Sequence, residues 1–326
     1  MLLKDTELLD SKFRPYSTDI RLSAGKVCEL GSLSPWANEE VIEADNCVVI
    51  PGLNDHHAHL VSYAASLNSV KCGPPEVSSI EDLIITLNQV PGSDWLRGIG
   101  FHESLCANID RVWLDQHGPK RPVRIQHRSG RLWVLNSLGL ELIRERADAL
   151  TGHERRRLSE TSGRLYDVDE LISNLTRAEP PPLMTASQKL ASFGVTGVND
   201  MTPANDPASL TWFSELQDEN KLLQKVMMSG RPELSECRFS DTLSLGSTKV
   251  HLHDYDLPDF PDFVDLIKKS HGQSRTVAVH CVTEVALVFT LSAMRAAGCS
   301  KDNRIEHASV IPPELIQQLQ EQEHIL

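Results

Sequence analysis

No stretch of this sequence approaches the ~18 consecutive apolar residues of a membrane-spanning helix, so no span is expected. The first residues also lack the unbroken apolar core of an export signal, because Lys4, Asp5, Glu7, Asp10 and Lys12 interrupt it. Positive charge is in deficit: 32 Lys and Arg stand against 45 Asp and Glu, a formal net charge of -13. Such a surface repels a polyanion on average, which argues against nucleic acid or anionic membrane as partner and fits a neutral or cationic small-molecule substrate better. The seven cysteines contain no Cys-x-x-Cys pair, and their odd number suits a reducing compartment rather than a disulfide framework. Repeats and low-complexity tracts are absent, and the Asn174-Leu175-Thr176 sequon reads as accidental without an export signal. The expectation is a soluble, cytoplasmic protein whose oligomeric state, monomer or homo-oligomer, stays open.

What the sequence does have is a globular composition, 326 residues with 40% hydrophobic, enough for one large domain or a barrel with a small appendage. Residues 19 to 50 alternate apolar and polar positions between turns at Ala24-Gly25 and Gly31, which predicts that 1–50 form part of a small β-sandwich. The run Cys47-Val48-Val49-Ile50 is apolar on both faces and predicts a buried parallel strand. From 51 to 326 helical patterns alternate with short apolar runs, the pattern of βα units. Helices are predicted over roughly 81–90, 136–146, 184–193, 207–219, 261–270, 283–297 and 312–321. Strands are predicted over 195–199, 225–228, 249–253, 276–280 and 304–307. Residues 68–183 read as an insertion with its own strands at 95–100 and 123–126, closing on Pro180-Pro181-Pro182 and expected to roof one end of the sheet. The acidic stretch from Asp254 to Asp265 reads as a solvated loop.

Histidines punctuate the strand ends. In Pro51-Gly52-Leu53-Asn54-Asp55-His56-His57-Ala58-His59, residues His57 and His59 stand two apart, so on a strand both face one side and can share an ion. His280 closes the apolar run Thr276-Val277-Ala278-Val279, and His307 closes Arg304-Ile305-Glu306. A parallel barrel delivers such residues to its C-terminal mouth, where barrel enzymes build their sites. Lys249 begins Lys249-Val250-His251-Leu252-His253, a segment that reads as a buried strand. An uncompensated buried ammonium is costly. Reaction with CO₂ would convert it to a carbamate, an anion able to bridge two divalent ions; the plainer alternative is a lysine reaching solvent from a strand end. His251 and His253 share its parity and could be ligands, substrate contacts or fillers, the last two ranked first. Asp55 lies two residues before His57 and reads as a group orienting a histidine. Trp133 and Arg128 read as pocket lining or as ordinary packing and surface charge.

The string PGLNDHHAH, with Lys249, VAVHC and RIEHAS after it, resembles the amidohydrolase superfamily over nearly the whole chain. The segments Trp95–Gly100, Arg121–Val123, Leu132–Ser137 and Gly194–Asp200 resemble its amidohydrolase-3 branch, which includes N-substituted formamide deformylase-like proteins. That resemblance implies an α/β fold built as a (β/α)₈ TIM-type barrel over 51–326, whose strands one, four, five and six carry His-x-His, Lys, His and His. It implies one or two divalent ions, Zn²⁺ by ligand type, with His57 and His59 on one, His280 and His307 on a second and carboxylated Lys249 between them. It further implies hydrolysis of an amide-type C–N bond of a small molecule by hydroxide drawn from acidified water. Many members carry a substrate-contacting histidine where this chain has Gly130 and Arg131, which makes His127 its candidate substitute. The catalytic aspartate of the family follows strand eight, whereas His324-Ile325-Leu326 reads as the start of strand seven. Strands seven and eight and that proton-transfer residue are therefore expected beyond Leu326, with the chain either part of a longer one or an incomplete product. Two rival readings remain at this stage: a deaminase of an aminated heterocycle, which uses the same attack, and a non-catalytic barrel.

Overall fold

In the computed structural model all residues are described except 46, 147–149, 151, 159–161, 177–179, 255, 299, 301 and 322–326. The reading of His324-Ile325-Leu326 as a strand start thus falls outside the described residues. In chain order, strands β1 (Leu2–Leu9), β2 (Pro15–Ser23), β3 (Lys26–Gly31) and β4 (Val41–Glu43) form a four-stranded sheet of order β3-β2-β1-β4. β5 (Leu53–Ala58) runs straight into helix α1 (Leu60–Leu67). Next come β6 (Val70–Lys71), α2 (Ile80–Gln89), β7 (Leu96–Phe101), α3 (Arg111–His117), β8 (Val123–His127), β9 (Leu132–Leu135), α4 (Ser137–Glu145), α5 (Gly152–Leu158), β10 (Arg164–Tyr166) and α6 (Asp169–Thr176). The chain then alternates α7 (Met184–Ser192), β11 (Val195–Asp200), α8 (Pro207–Asp218), β12 (Lys225–Gly230), β13 (Leu243–His251), α9 (Phe260–Gly272), β14 (Val277–Cys281), α10 (Glu284–Ala297), β15 (Arg304–His307) and α11 (Pro313–Glu321).

β5 and β11 to β15 make one parallel six-stranded sheet of order β15-β14-β13-β12-β11-β5. Its edge strands lie five strand spacings apart, about 24 Å if the sheet were flat. Yet the His57 ring on β5 hydrogen-bonds the Glu306 carboxylate on β15. The sheet must curl until its two edges face each other, which makes it a half-barrel. Helices cover its outer face, with Val277, Val279, Leu287, Leu291, Met294 and Ile305 in one core and Leu60, Val198, Phe213, Val226 and Met228 in another. Truncating such a side chain, for instance Leu291→Ala, costs about 2–5 kcal/mol. Capping fixes where these helices start: Asp206 caps α8 in a reciprocal pair with Ser209, and Thr283 accepts from Ala286 N at the head of α10.

Residues 70–176 build a second sheet, order β10-β9-β8-β7-β6, with a core on each side. β9 shows why both sides fill: Leu132 and Val134 enter one core, Trp133 and Leu135 the other.

Two expectations need correction. Cys47–Ile50 is no buried strand; Val48 makes one isolated bridge to Glu7, and Val48 and Ile50 are exposed. The strand that joins the parallel sheet is β5, which starts after the Pro51-Gly52 pair. The strand expected from Lys249 to His253 instead runs from Leu243 to His251, leaving His253 beyond its end.

Candidate metal centre

β5 ends at Ala58, and α1 begins one residue past His59, whose side chain makes no cap. The sharp exit from strand to helix sets the His57 and His59 rings 5.3 Å apart. Asp200, fully buried at the end of β11, fastens this turn: its Oδ2 accepts from Leu60 N at 2.7 Å and its Oδ1 from Thr202 N at 3.0 Å. Thr202 Oγ1 in turn meets His59 Nδ1 at 3.2 Å. With Nδ1 so engaged, Nε2 of His59 is the nitrogen left to face the centre.

β14 brings His280 and β15 brings Glu306 and His307. Adjacent strand residues normally point to opposite faces. Here both reach His57, Glu306 by the hydrogen bond and His307 with ring centroids 5.0 Å apart. The backbone accounts for this, since His307 sits at φ +73° and Ala308 at φ +41°, breaking the alternation at the strand's last residue. His280 and His307 stand 4.6 Å apart, His251 and His280 4.0 Å, and His251 and His253 4.4 Å. Six imidazoles thus line the inner end of the curled sheet in one chain of ring contacts.

Lys249, in register with Ala278 on β14, is buried at 6% exposure, and its Nζ has no hydrogen-bond partner among the described residues. Burial lowers its pKa to about 8, the Glu306 charge pulling the other way and Arg304 adding to the drop. Desolvation likewise lowers His280 to about 3 and His251 to about 4, with neighbouring imidazoles contributing. His251 keeps an open side to solvent. His59 and His307 are lowered as well, burial again leading. All four are neutral imidazoles at pH 7, the form that ligates metal. For Glu306, burial alone would raise the carboxyl, but the His57 hydrogen bond and the charges of Lys249 and Arg304 outweigh it and hold it below its usual range. Arg304 Nε lies 2.8 Å from Glu306 Oε1, and its Nη2 donates to His56 O at 3.2 Å, tying β15 back to β5.

A divalent ion suits this donor set: four neutral imidazoles, a buried amine without a partner, and a carboxylate that steadies one ring. Among the described residues no three His, Cys, Asp or Glu side chains are already closed into metal-holding geometry, so the rings are gathered but not locked.

The other expected residues fall elsewhere. Asp55 does not orient a ring; its Oδ1 accepts from His57 N at 2.9 Å, and Glu306 holds the ring instead. His127 bonds Glu103 Oε2 at 2.9 Å and Ser129 Oγ at 2.7 Å in the second sheet. Trp133 is buried in that sheet's core against Arg97 and Arg124, the packing alternative. His253 stacks on His251 at the end of the ring chain. Sequence reasoning missed Glu306, Arg304, Asp200 and Thr202; Glu306 was legible only as a carboxylate beside a strand-end histidine.

Fold and site define an α/β protein with a parallel, curled sheet whose inner end carries histidines and a buried lysine. The amidohydrolase family model matches residues 40–324, and the chain belongs to that family. Over 120 residues it is 30% identical to N-substituted formamide deformylase of Arthrobacter pascens, covering 35% of this chain and 22% of that protein. Over 209 residues it is 26% identical to Protein LONG AFTER FAR-RED 3 of Arabidopsis thaliana, covering 57% of this chain and 35% of that protein. The matches thus span only about a fifth to a third of these curated relatives. An uncharacterized metal-dependent hydrolase from Pyrococcus horikoshii OT3 has the same fold, TM-score 0.73 at 20% identity, covering 98% of this chain and 72% of that one. No helix among the described residues is long and apolar enough to cross a membrane.

Proposed function

We propose that the protein is a metal-dependent hydrolase that cleaves an amide-type C–N bond of a small molecule, with His57, His59, Lys249, His280 and His307 holding one or two divalent ions, Zn²⁺ by donor type. The observation that carries this reading is Lys249, a buried amine without a hydrogen-bond partner among the described residues, close enough for its charge to act on His59, His251, His280 and His307. With a pKa of about 8, about a tenth of it is the free amine at pH 7, able to take up CO₂ as a carbamate and become an anionic ligand. A divalent ion held there supplies Lewis acidity toward a carbonyl and acidifies water into the neutral range.

The chain's own groups position and exclude. Glu306 fixes the His57 ring and Thr202 the His59 ring, each through Nδ1, so both present Nε2. The His57 hydrogen bond and the charges of Lys249 and Arg304 hold Glu306 ionised against its burial, which commits that carboxylate to orientation rather than to proton delivery. The names of the formamide deformylase and of the Pyrococcus hydrolase both support hydrolysis over a purely structural role. The test is release of formate and amine from N-substituted formamides by the purified full chain, followed by mass spectrometry with and without EDTA. Amine release abolished by EDTA and restored by Zn²⁺ supports the reading. Ammonia release from aminated heterocycles alone would favour a deaminase, and no turnover of either class would favour a non-catalytic barrel.

A further inference from the structure

Helix α1 and the second sheet meet across a cavity of about 400 Å³, a size that takes a small molecule. α1 lines it with Ser62 and Ser66, which are four residues apart and so share one helix face. The sheet lines it with Arg97, His127 and Arg128, and none of the described residues lining it is Asp or Glu. None of the six clustered histidines lines it, but Ser62 and Ser66 lie three and seven residues past His59, about 5 and 10 Å along the helix axis, within reach of a small molecule that spans both.

Positive charge is built into its sheet-side wall. Arg97 donates through Nη1 to Ser69 Oγ at 2.7 Å and stands 5.8 Å from the Trp133 ring centre. Arg124 does not line the cavity but is buried behind that wall, 5.5 Å from the same ring and 5.6 Å from that of Trp95; its Nη1 donates to Thr176 Oγ1 at 3.0 Å, and its Nε has no partner among the described residues. Burial and the charge of Arg97 lower its pKa to about 10, so at pH 7 it is still a cation. Arg128 is exposed at the cavity's rim. Glu103, bonded to His127, offsets one of these charges and leaves an excess of guanidinium. The net charge of -13 opposes an anion on average, but salt screens charge beyond about 8 Å, whereas Arg97 and Arg128 line the cavity itself.

We infer that this cavity binds an anionic oxyacid group, carboxylate or phosphate, at the far end of a small amide whose C–N bond lies at the histidine centre. The inference rests on the hydrolase reading for that second half. Guanidinium forks recognise both groups by paired hydrogen bonds, and the Ser62 hydroxyl can donate from the facing helix, whereas that of Ser66 already donates to Tyr63 O at 2.7 Å.

The experiment is isothermal titration of the Zn²⁺-loaded full chain with three probes: N-ethylformamide, N-formyl-3-aminopropanoate and N-formyl-2-aminoethyl phosphate. At least one anionic probe should bind tenfold or more tighter than N-ethylformamide, and the better of the two identifies the group. In Arg128→Gln, an exposed position where folding is not at stake, the preference should shrink to within about threefold. Equal or weaker binding of both anions, or a preference untouched by Arg128→Gln, overturns the inference; the second result would mean the anion sits on the metal instead. Turnover is read in parallel. Anion preference without hydrolysis supports the cavity and sinks only the hydrolase reading, while hydrolysis without anion preference sinks only the cavity.

Discussion

Replacing Lys249 by Met should stabilise the metal-free protein while removing its metal site. The ammonium is 6% exposed, and its pKa falls from 10.5 to about 8 on folding. At 1.36 kcal/mol per pH unit, that drop means burial of the charged form costs about 3 kcal/mol at pH 7. Met fills similar volume without a charge. The attraction of Glu306 is already contained in that drop, so the net gain is about 3 kcal/mol at pH 7. The sign with pH follows from proton counting. Between pH 8 and 10.5 the unfolded lysine still holds its proton while the folded one has released it, so wild-type stability rises with pH across that window. The penalty, and with it the advantage of Lys249→Met, is full below pH 8 and fades toward pH 10.5. The assay is urea unfolding in EDTA and CO₂-free buffer at pH 7 and pH 9.5. A Lys249→Met variant less stable than wild type at pH 7, or a gap that widens at pH 9.5, would refute the reasoning.

Further outcomes follow from the same geometry. Glu306→Gln should keep the fold but lower metal affinity by about 10–100-fold through the loosened His57 ring, measured by competition with a chromophoric chelator. Thr202→Val should weaken metal binding about tenfold by freeing the His59 tautomer, whereas Thr211→Val, on an exposed helix face, should leave it unchanged. The metal-free protein should lose stability as pH falls below 6.5, because His280, held down to about 3 in the fold, resists a proton that the unfolded chain accepts. Thermal melts at pH 7.5 and 5 check this, and His280→Gln should shrink the difference; an unchanged difference would locate the acid sensitivity elsewhere.

Much of the parallel sheet was legible because its strands are short apolar runs between capped helices. β15 fell on Arg304–His307 as expected, and α8 and α10 began beside their capping residues Asp206 and Thr283. β13 was half hidden because Gly246, Ser247 and Thr248 look polar; they are buried through hydroxyl pairs, Ser247 with Thr276 and Thr248 with Ser270, both 2.8 Å. Helix α1 was missed because it begins directly after His59 with no side-chain cap. In the site, the histidines and Lys249 were readable from strand ends, but Glu306 was not. Alternation places it opposite His307, and only the left-handed backbone at His307 brings both to His57. His127 and Trp133 drew notice for their residue type, yet they stand in the second sheet, one hydrogen-bonded to Glu103 and one in a core.

Metal content tests the central claim most directly. The full chain, purified after growth with added Zn²⁺ and measured by plasma mass spectrometry, should carry one to two divalent ions per chain. The His57→Asn, His59→Asn double variant should carry less than a tenth of that while remaining folded by circular dichroism. Wild-type protein free of metal, or a double variant that retains its full content, would contradict the account.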